Sequence, residues 1–249
     1  MGWIIEYCGV SNIGKYRKVN QDNMVLMKYY MELKDNEAVG PVQGKVRAGK
    51  SAVFAVFDGM GGEERGEMAA YIAASTMAGK EKWSASEDDL TPFCIEVNNL
   101  ICRFAQTNQV RSMGTTAAIL KFGDGKIRMC NIGDSRVYRF TDDALQQVSR
   151  DHVSIGIYGR KPPLSQNLGI PEEEFLIEPY ETTIAYRKND RYLICSDGLT
   201  DMVTDAEIAE ALAADPTEGA LGKLLRLALE RGGRDNITMV LCRVKKTLF

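Results

Sequence analysis

The chain has 249 residues, 45% hydrophobic and 26% charged, so it is long enough for a well-buried core and has an ordinary globular composition. A net charge of −3 gives no electrostatic reason to expect nucleic acid or an anionic membrane as partner. No apolar run approaches the roughly 20 residues needed to span a bilayer, and the N-terminus lacks the pattern of a secretion signal, so a cytoplasmic protein is expected.

The first strands are predicted at WIIEYCGV (3–10), NMVLMKYYMEL (23–33) and SAVFAVF (51–57), with 34–50 read as a Gly- and charge-rich loop. Two helices follow. One carries Met68, Tyr71, Ile72 and Ser75 on one face; the other carries Leu90, Phe93, Val97, Leu100, Ile101 and Phe104 as a buried stripe. TTAAILKF, the turn GDG and KIRMCNIG form a hairpin, which VYRF and LQQVS continue. Residues 152–169 read as a loop. EFLIEP, TTIAY and RYLICS are further strands, helices cover 205–214 and 218–231, and NITMVLCRV is the last strand. This order argues against a doubly wound parallel sheet. It predicts an α+β fold in one domain over 1–249: a four-layer α-β-β-α sandwich of two mostly antiparallel sheets, with a helix pair on each outer side.

The cysteines at 8, 94, 102, 130, 195 and 242 contain no C-x-x-C and read as buried, reduced thiols. The single histidine, His152, excludes a His-rich zinc site and leaves one base for any Ser-His-Asp triad. Two motifs are decoys. GKVRAGKS (44–51) spells a P-loop, yet it runs into the β-type AVFAVF where a P-loop needs a helix, so it reads as a solvated loop entering a strand. CNIGDSR (130–136) has the C-x5-R spacing of cysteine phosphatases, but Arg136 leads into a strand and Asp134 would put negative charge in the anion cradle.

What remains is a recurrence of aspartates at strand ends: Asp58 after SAVFAVF, Asp134 after MCNIG, Asp197 after YLICS, and Asp235 just before the last strand. Each alone is a common turn. Four brought to one end of a sandwich would repel one another unless a hard divalent cation neutralised them, and oxygen-only ligation selects Mg²⁺ or Mn²⁺ over zinc. Asp22 is a fifth acid, and Arg17, five residues upstream, suits a phosphoryl group held in its planar fork. Such a site supplies an activated water without a histidine base.

RKVNQD, VFDGMGG, GTT, NIGDSR, RDH, LICSDGLTD and GGRDNIT, in this order from 17 to 238, resemble the motifs of the metal-dependent Ser/Thr protein phosphatases, the PPM or type 2C family, in a compact bacterial form. The resemblance implies hydrolysis of phosphoserine and phosphothreonine in proteins at a binuclear Mn²⁺ or Mg²⁺ centre. Asp58 would bridge the two metals, and Asp197 and Asp235 would complete the first site. The Gly59 carbonyl would serve the second, with Asp22 acting on it through water. Asp134, with Asp197, would hold a third, weaker ion, and Arg17 would bind the substrate phosphate. It further implies a phosphoprotein substrate, an opposing Ser/Thr kinase and a monomer, with neither nucleic acid nor membrane as partner.

Three departures from the family pattern stand out. Met60 and Glu63 occupy the positions where many relatives place a histidine acid, which leaves solvent at the metals or His152 to protonate the leaving group. The flap region before Asp197 is short, with KPPLSQNLG as its remaining end, and Gln21 stands where relatives often have Glu. A catalytically silent binding module on the same fold is the competing expectation.

Overall fold

The computed structural model describes residues 2–35, 37–49, 52–60, 65–80, 89–155, 162–214 and 217–247. In chain order these form β1 (Trp3–Asn12), β2 (Asp22–Leu26), β3 (Tyr29–Tyr30), β4 (Ala38–Arg47), β5 (Val53–Met60), α1 (Gly66–Gly79) and α2 (Thr91–Thr107). Next come β6 (Gly114–Thr115), β7 (Ala117–Phe122), β8 (Lys126–Ile132), β9 (Arg136–Thr141), β10 (Ala144–Gln147), β11 (Tyr180–Ala185) and β12 (Arg191–Cys195). The chain closes with α3 (Asp197–Thr200), α4 (Asp205–Ala214), α5 (Thr217–Glu230) and β13 (Ile237–Lys246).

One sheet runs β10-β9-β12-β13-β1-β4 and the other β11-β8-β7-β5-β2-β3, with β6 added against β5. Every ladder is antiparallel. The period-2 alternation of side chains sorts the apolar residues into layers. In β5, Phe54 and Val56 face the opposite sheet, whereas Val53, Ala55 and Phe57 face α1 and α2. In β12, Tyr192 and Ile194 face inward, and Leu193 and Cys195 face the helices α3 to α5. Fully burying a side chain such as Phe54 or Leu193 stabilises by about 1.5–3 kcal/mol, so the layer pattern decides the architecture. It is the predicted α-β-β-α sandwich.

Four expectations change. Residues 38–47 are no loop but β4, paired along most of β1. Gly40, Pro41, Gly44 and the charges at Lys45 and Arg47 hid it, and an edge strand tolerates all of these. The run at 23–33 breaks at Met27, whose φ of 65° turns the chain between β2 and β3. In α1 the buried face is Ala69, Ala70, Ala73, Ala74 and Met77, while Met68 and Ile72 flank the core; small side chains let this helix lie close on β2 and β5. EFLIEP forms no strand: Phe175 and Leu176 are exposed and Ile177 touches the core edge. The one-turn α3 was not predicted.

Candidate metal centre

Neighbouring strands of both sheets end at one place. Asp22 opens β2 directly opposite Asp58 on β5. Asp134 lies where the chain crosses between sheets, from β8 to β9. Asp197 opens α3 immediately after β12, and Asp235 precedes β13, the partner of β12. The Asp58 carboxyl is pushed well above the usual carboxylate range, first by burial and then by the negative charges of Asp22, Asp197, Asp134 and Asp235. All five acids thus share one field. Asp22 is raised to about 7, chiefly by burial; hydrogen bonds from Thr238 and Ser196 work against this, and the charges of Asp197 and Asp235 reinforce it.

Arg17 stands over this cluster as a cation. Its Nη2 donates to Asp235 Oδ2 at 2.5 Å, and its side chain remains 45% exposed. Among the described residues no three acidic, histidine or cysteine side chains close on one point as a finished metal shell. The donor set nonetheless fits a hard cation. It is all oxygen, its charges repel, and Asp22 Oδ1 is buried with no hydrogen-bond partner. Without metal, the sign of the pH dependence follows. A carboxyl raised from 3.8 to about 7 binds a proton on folding, so stability is fully present below about pH 4 and falls as pH rises to about 7. Urea denaturation of EDTA-treated protein at pH 5 and pH 8 checks this; a higher midpoint at pH 8 would count against it.

The local sequence explains the placement. Asp58 N donates to Thr116 Oγ1 at 3.1 Å, and Thr115 Oγ1 donates to Asp58 O at 3.0 Å. Thr116 Oγ1 also meets Ser135 Oγ at 2.7 Å, which couples the GTT segment to the crossover at Asp134. The Gly59 N–H donates to Gln21 O at 3.1 Å, and a Cβ there would collide with Gln21 O and Gly66 O, so only glycine fits. Ser196 Oγ donates to Asp22 Oδ2 at 2.8 Å and accepts from Thr238 N at 3.0 Å. Thr238 Oγ1 meets Ser11 Oγ at 2.7 Å, and Asn20 Nδ2 donates to Ser11 Oγ at 2.9 Å.

Asn236 is the main clamp. Its Oδ1 accepts from Gln21 N at 2.8 Å, and its Nδ2 donates to Ile13 O at 2.9 Å and Val19 O at 3.1 Å. It therefore fixes both ends of the loop that carries Arg17. The motif reading quoted Asn20, Thr115, Thr116, Ser196 and Asn236 without giving them a part, and passed over Ser11.

The family model for protein phosphatase 2C matches residues 42–223. The chain belongs to this family. It is 31% identical over 207 residues to the serine/threonine protein phosphatase PstP of Mycobacterium tuberculosis, a match covering 77% of this chain and 40% of that protein. The chain thus spans less than half the length of that relative. The serine/threonine phosphatase stp of Listeria innocua is 28% identical over 214 residues, covering 77% of this chain and 84% of that protein. The catalytic domain of PstP, solved in complex with two manganese ions, superposes with a TM-score of 0.75 at 27% identity, covering 98% of this chain and 100% of that one.

As a phosphatase 2C chain it puts its decoys to other uses. Arg136 forks onto Asp151, with Nε and Nη2 donating to Oδ2 at 2.9 and 2.7 Å, and its Nη1 donates to Tyr138 Oη at 3.0 Å. It is a brace, not an anion cradle. Residues 44–47 of the P-loop spelling are strand β4; Lys50 and Ser51 lie outside the described residues, as does Glu63. His152 Nδ1 accepts from Gly133 N at 3.2 Å, and the His152 backbone N–H donates to Gly133 O at 3.0 Å. Burial lowers its pKa, which favours the neutral ring, and its bonds to Gly133 support the crossover beside Asp134. Met60 closes β5 opposite Gly114.

Proposed function

We propose that this chain is one phosphatase domain over 1–249 that hydrolyses phosphoserine and phosphothreonine in proteins at a pair of Mn²⁺ or Mg²⁺ ions. The observation that carries the reading is the gathering of five aspartates at one end of both sheets beneath a half-exposed arginine. Asp58 would bridge the ions, Asp197 and Asp235 would hold the first, and the Gly59 carbonyl and, through water, Asp22 would hold the second. Asp134 with Asp197 would take a weaker third. When bound, the ions supply charge neutralisation and an acidified water.

The chain's own residues position and bind. Thr115 and Thr116 hold Asp58 in place, Ser196 orients Asp22, and Asn236 sets the Arg17 loop. A guanidinium has five N–H donors, and Arg17 commits one to Asp235, so its exposed donors face an incoming phosphate. Without a histidine acid at Met60 or in the crossover, turnover should be slower than in relatives that have one, on the scale of about 10²–10⁴ that a general acid contributes.

The two-manganese complex of PstP supports the metal assignment. Among the described residues no helix is long and apolar enough to cross a membrane. We place the enzyme in the cytoplasm as a monomer that opposes a Ser/Thr kinase in signalling. Phosphate release from phosphoserine, phosphothreonine and phosphotyrosine peptides with Mn²⁺ tests the reading: release from the first two and little from the third is expected. If no peptide is cleaved while Mn²⁺ at about 100 times its Kd still stabilises the fold by roughly 2.7 kcal/mol, the chain is the silent binding module.

A further inference from the structure

The loop 13–21 and the turn 232–236 form one clamped rim beside the aspartate cluster. Besides the three Asn236 bonds, Lys15 N donates to Gly233 O at 2.7 Å, and Gly14 is too close to Asp235 O and Gly233 O to admit a side chain. On this rim stand Lys15, Arg17, Lys18 and Arg234, all exposed, with Tyr16 73% exposed among them. Four cations on two short segments is a local excess in a chain of net charge −3. Arg17 is engaged by Asp235. Among the described residues no carboxylate pairs with Lys15, Lys18 or Arg234.

Arg234 also lines a recess of about 380 Å³ with Gly198, Asp201, Met202 and Asp235, beside the centre. Its side chain runs back over Gly232, where a Cβ would stand 3.6 Å from Arg234 Cγ and 3.8 Å from Nε. Asp201 and Asp235 are the opposing charges in that recess. Two of the four cations, Lys18 and Arg234, sit next to or near the residues assigned to phosphate and metal, yet neither has a part in the chemistry.

We propose that this rim is a specificity subsite for an anionic side chain close in sequence to the phosphorylated residue. Arg234 and Lys18 are its cations, and Tyr16 is the apolar surface on which the peptide rests. The inference rests on the phosphoprotein reading above and names the substrate class within it. The anion is a carboxylate or a second phosphate group; both accept from Arg and Lys in the same way. Rim charges act mainly on encounter and binding, so the preference belongs in KM more than in kcat, and salt weakens it.

Three phosphothreonine peptides of equal length test this: one with glutamine flanks, one with glutamate flanks, and one with a second phosphothreonine two residues away. kcat and KM are measured with Mn²⁺ at low and high salt for the wild type, Arg234→Gln and Lys18→Gln. The wild type should favour an anionic peptide over the neutral one by roughly 3- to 10-fold in KM at low salt, and each variant should move that ratio toward one. Preference for only one anionic peptide identifies the source of the charge. A wild-type ratio near one, or a ratio that both variants leave intact, overturns the proposal. So does an Arg234→Gln effect equal on all three peptides, because the side chain would then only offset Asp201 and Asp235. Loss of turnover on every peptide and on p-nitrophenyl phosphate is failure of the phosphatase reading instead. The same ratios are then read as Kd by fluorescence anisotropy, with the same outcomes deciding.

Discussion

Asp58→Asn makes the metal-free protein more stable and removes its stabilisation by Mn²⁺. The two effects have opposite signs, and both follow from the position of Asp58. Its carboxyl is partly buried and faces the charges of Asp22, Asp197, Asp134 and Asp235, which is why its pKa stands well above the ordinary value. An amide of the same shape abolishes the charge and keeps the volume. The gain is partial because the amide is itself a polar group left in a partly buried site. About 1–2 kcal/mol, or roughly 2–8 °C in Tm, is expected for a domain of this size. The bridging role assigned to Asp58 predicts that hydrolysis falls by at least about 10²–10³-fold, the scale of losing one preorganised electrostatic contact. Differential scanning fluorimetry with EDTA and with Mn²⁺ reads both arms. A less stable variant that still responds to Mn²⁺ would show that the carboxylate serves packing rather than metal.

Asn236→Ala lowers stability by about 2–4 kcal/mol, roughly 5–15 °C in Tm, and weakens binding of inorganic phosphate. The side chain is buried, and its loss leaves Gln21 N, Ile13 O and Val19 O without their partner. Asn236→Asp should be nearly as damaging. It keeps an acceptor for Gln21 N, but a carboxylate cannot donate to Ile13 O and Val19 O, and it adds charge beside Asp235. A phosphate-inhibition constant unchanged in a folded Asn236→Ala protein would detach Arg17 from the clamp. Equal stability of the Asp variant and the wild type would contradict the hydrogen-bond assignment.

Much of the fold was legible because the chain carries its periodicity openly. The helix at Asp205–Ala214 and the hairpin around Gly123-Asp124-Gly125 fall where the pattern puts them. β4 was not legible, since an edge strand needs neither the apolar alternation nor the absence of proline that marks a central one. The buried face of α1 was misjudged because hydropathy favours Met68 and Ile72, whereas close approach to the sheet favours alanine.

At the site, the strand-end aspartates, with Asp22 and Arg17 beside them, were legible before any motif was matched, and the fold draws the five acids into one field. The supports were harder to see. Ser196 reaches Asp22 across 174 residues of sequence, and Ser11 meets Thr238 across 227. Small hydroxyls in strands look like ordinary strand residues until the sheets are stacked. Arg136 carried more apparent chemistry than it has, because a brace and an anion cradle use the same guanidinium donors.

The most direct test of the central claim is hydrolysis of p-nitrophenyl phosphate by the wild type with Mn²⁺, with EDTA, and by Asp197→Ala with Mn²⁺. Turnover that requires Mn²⁺ and disappears in both controls is the predicted result. Turnover that survives EDTA or the loss of Asp197, or none at all in a folded protein with Mn²⁺, would contradict it.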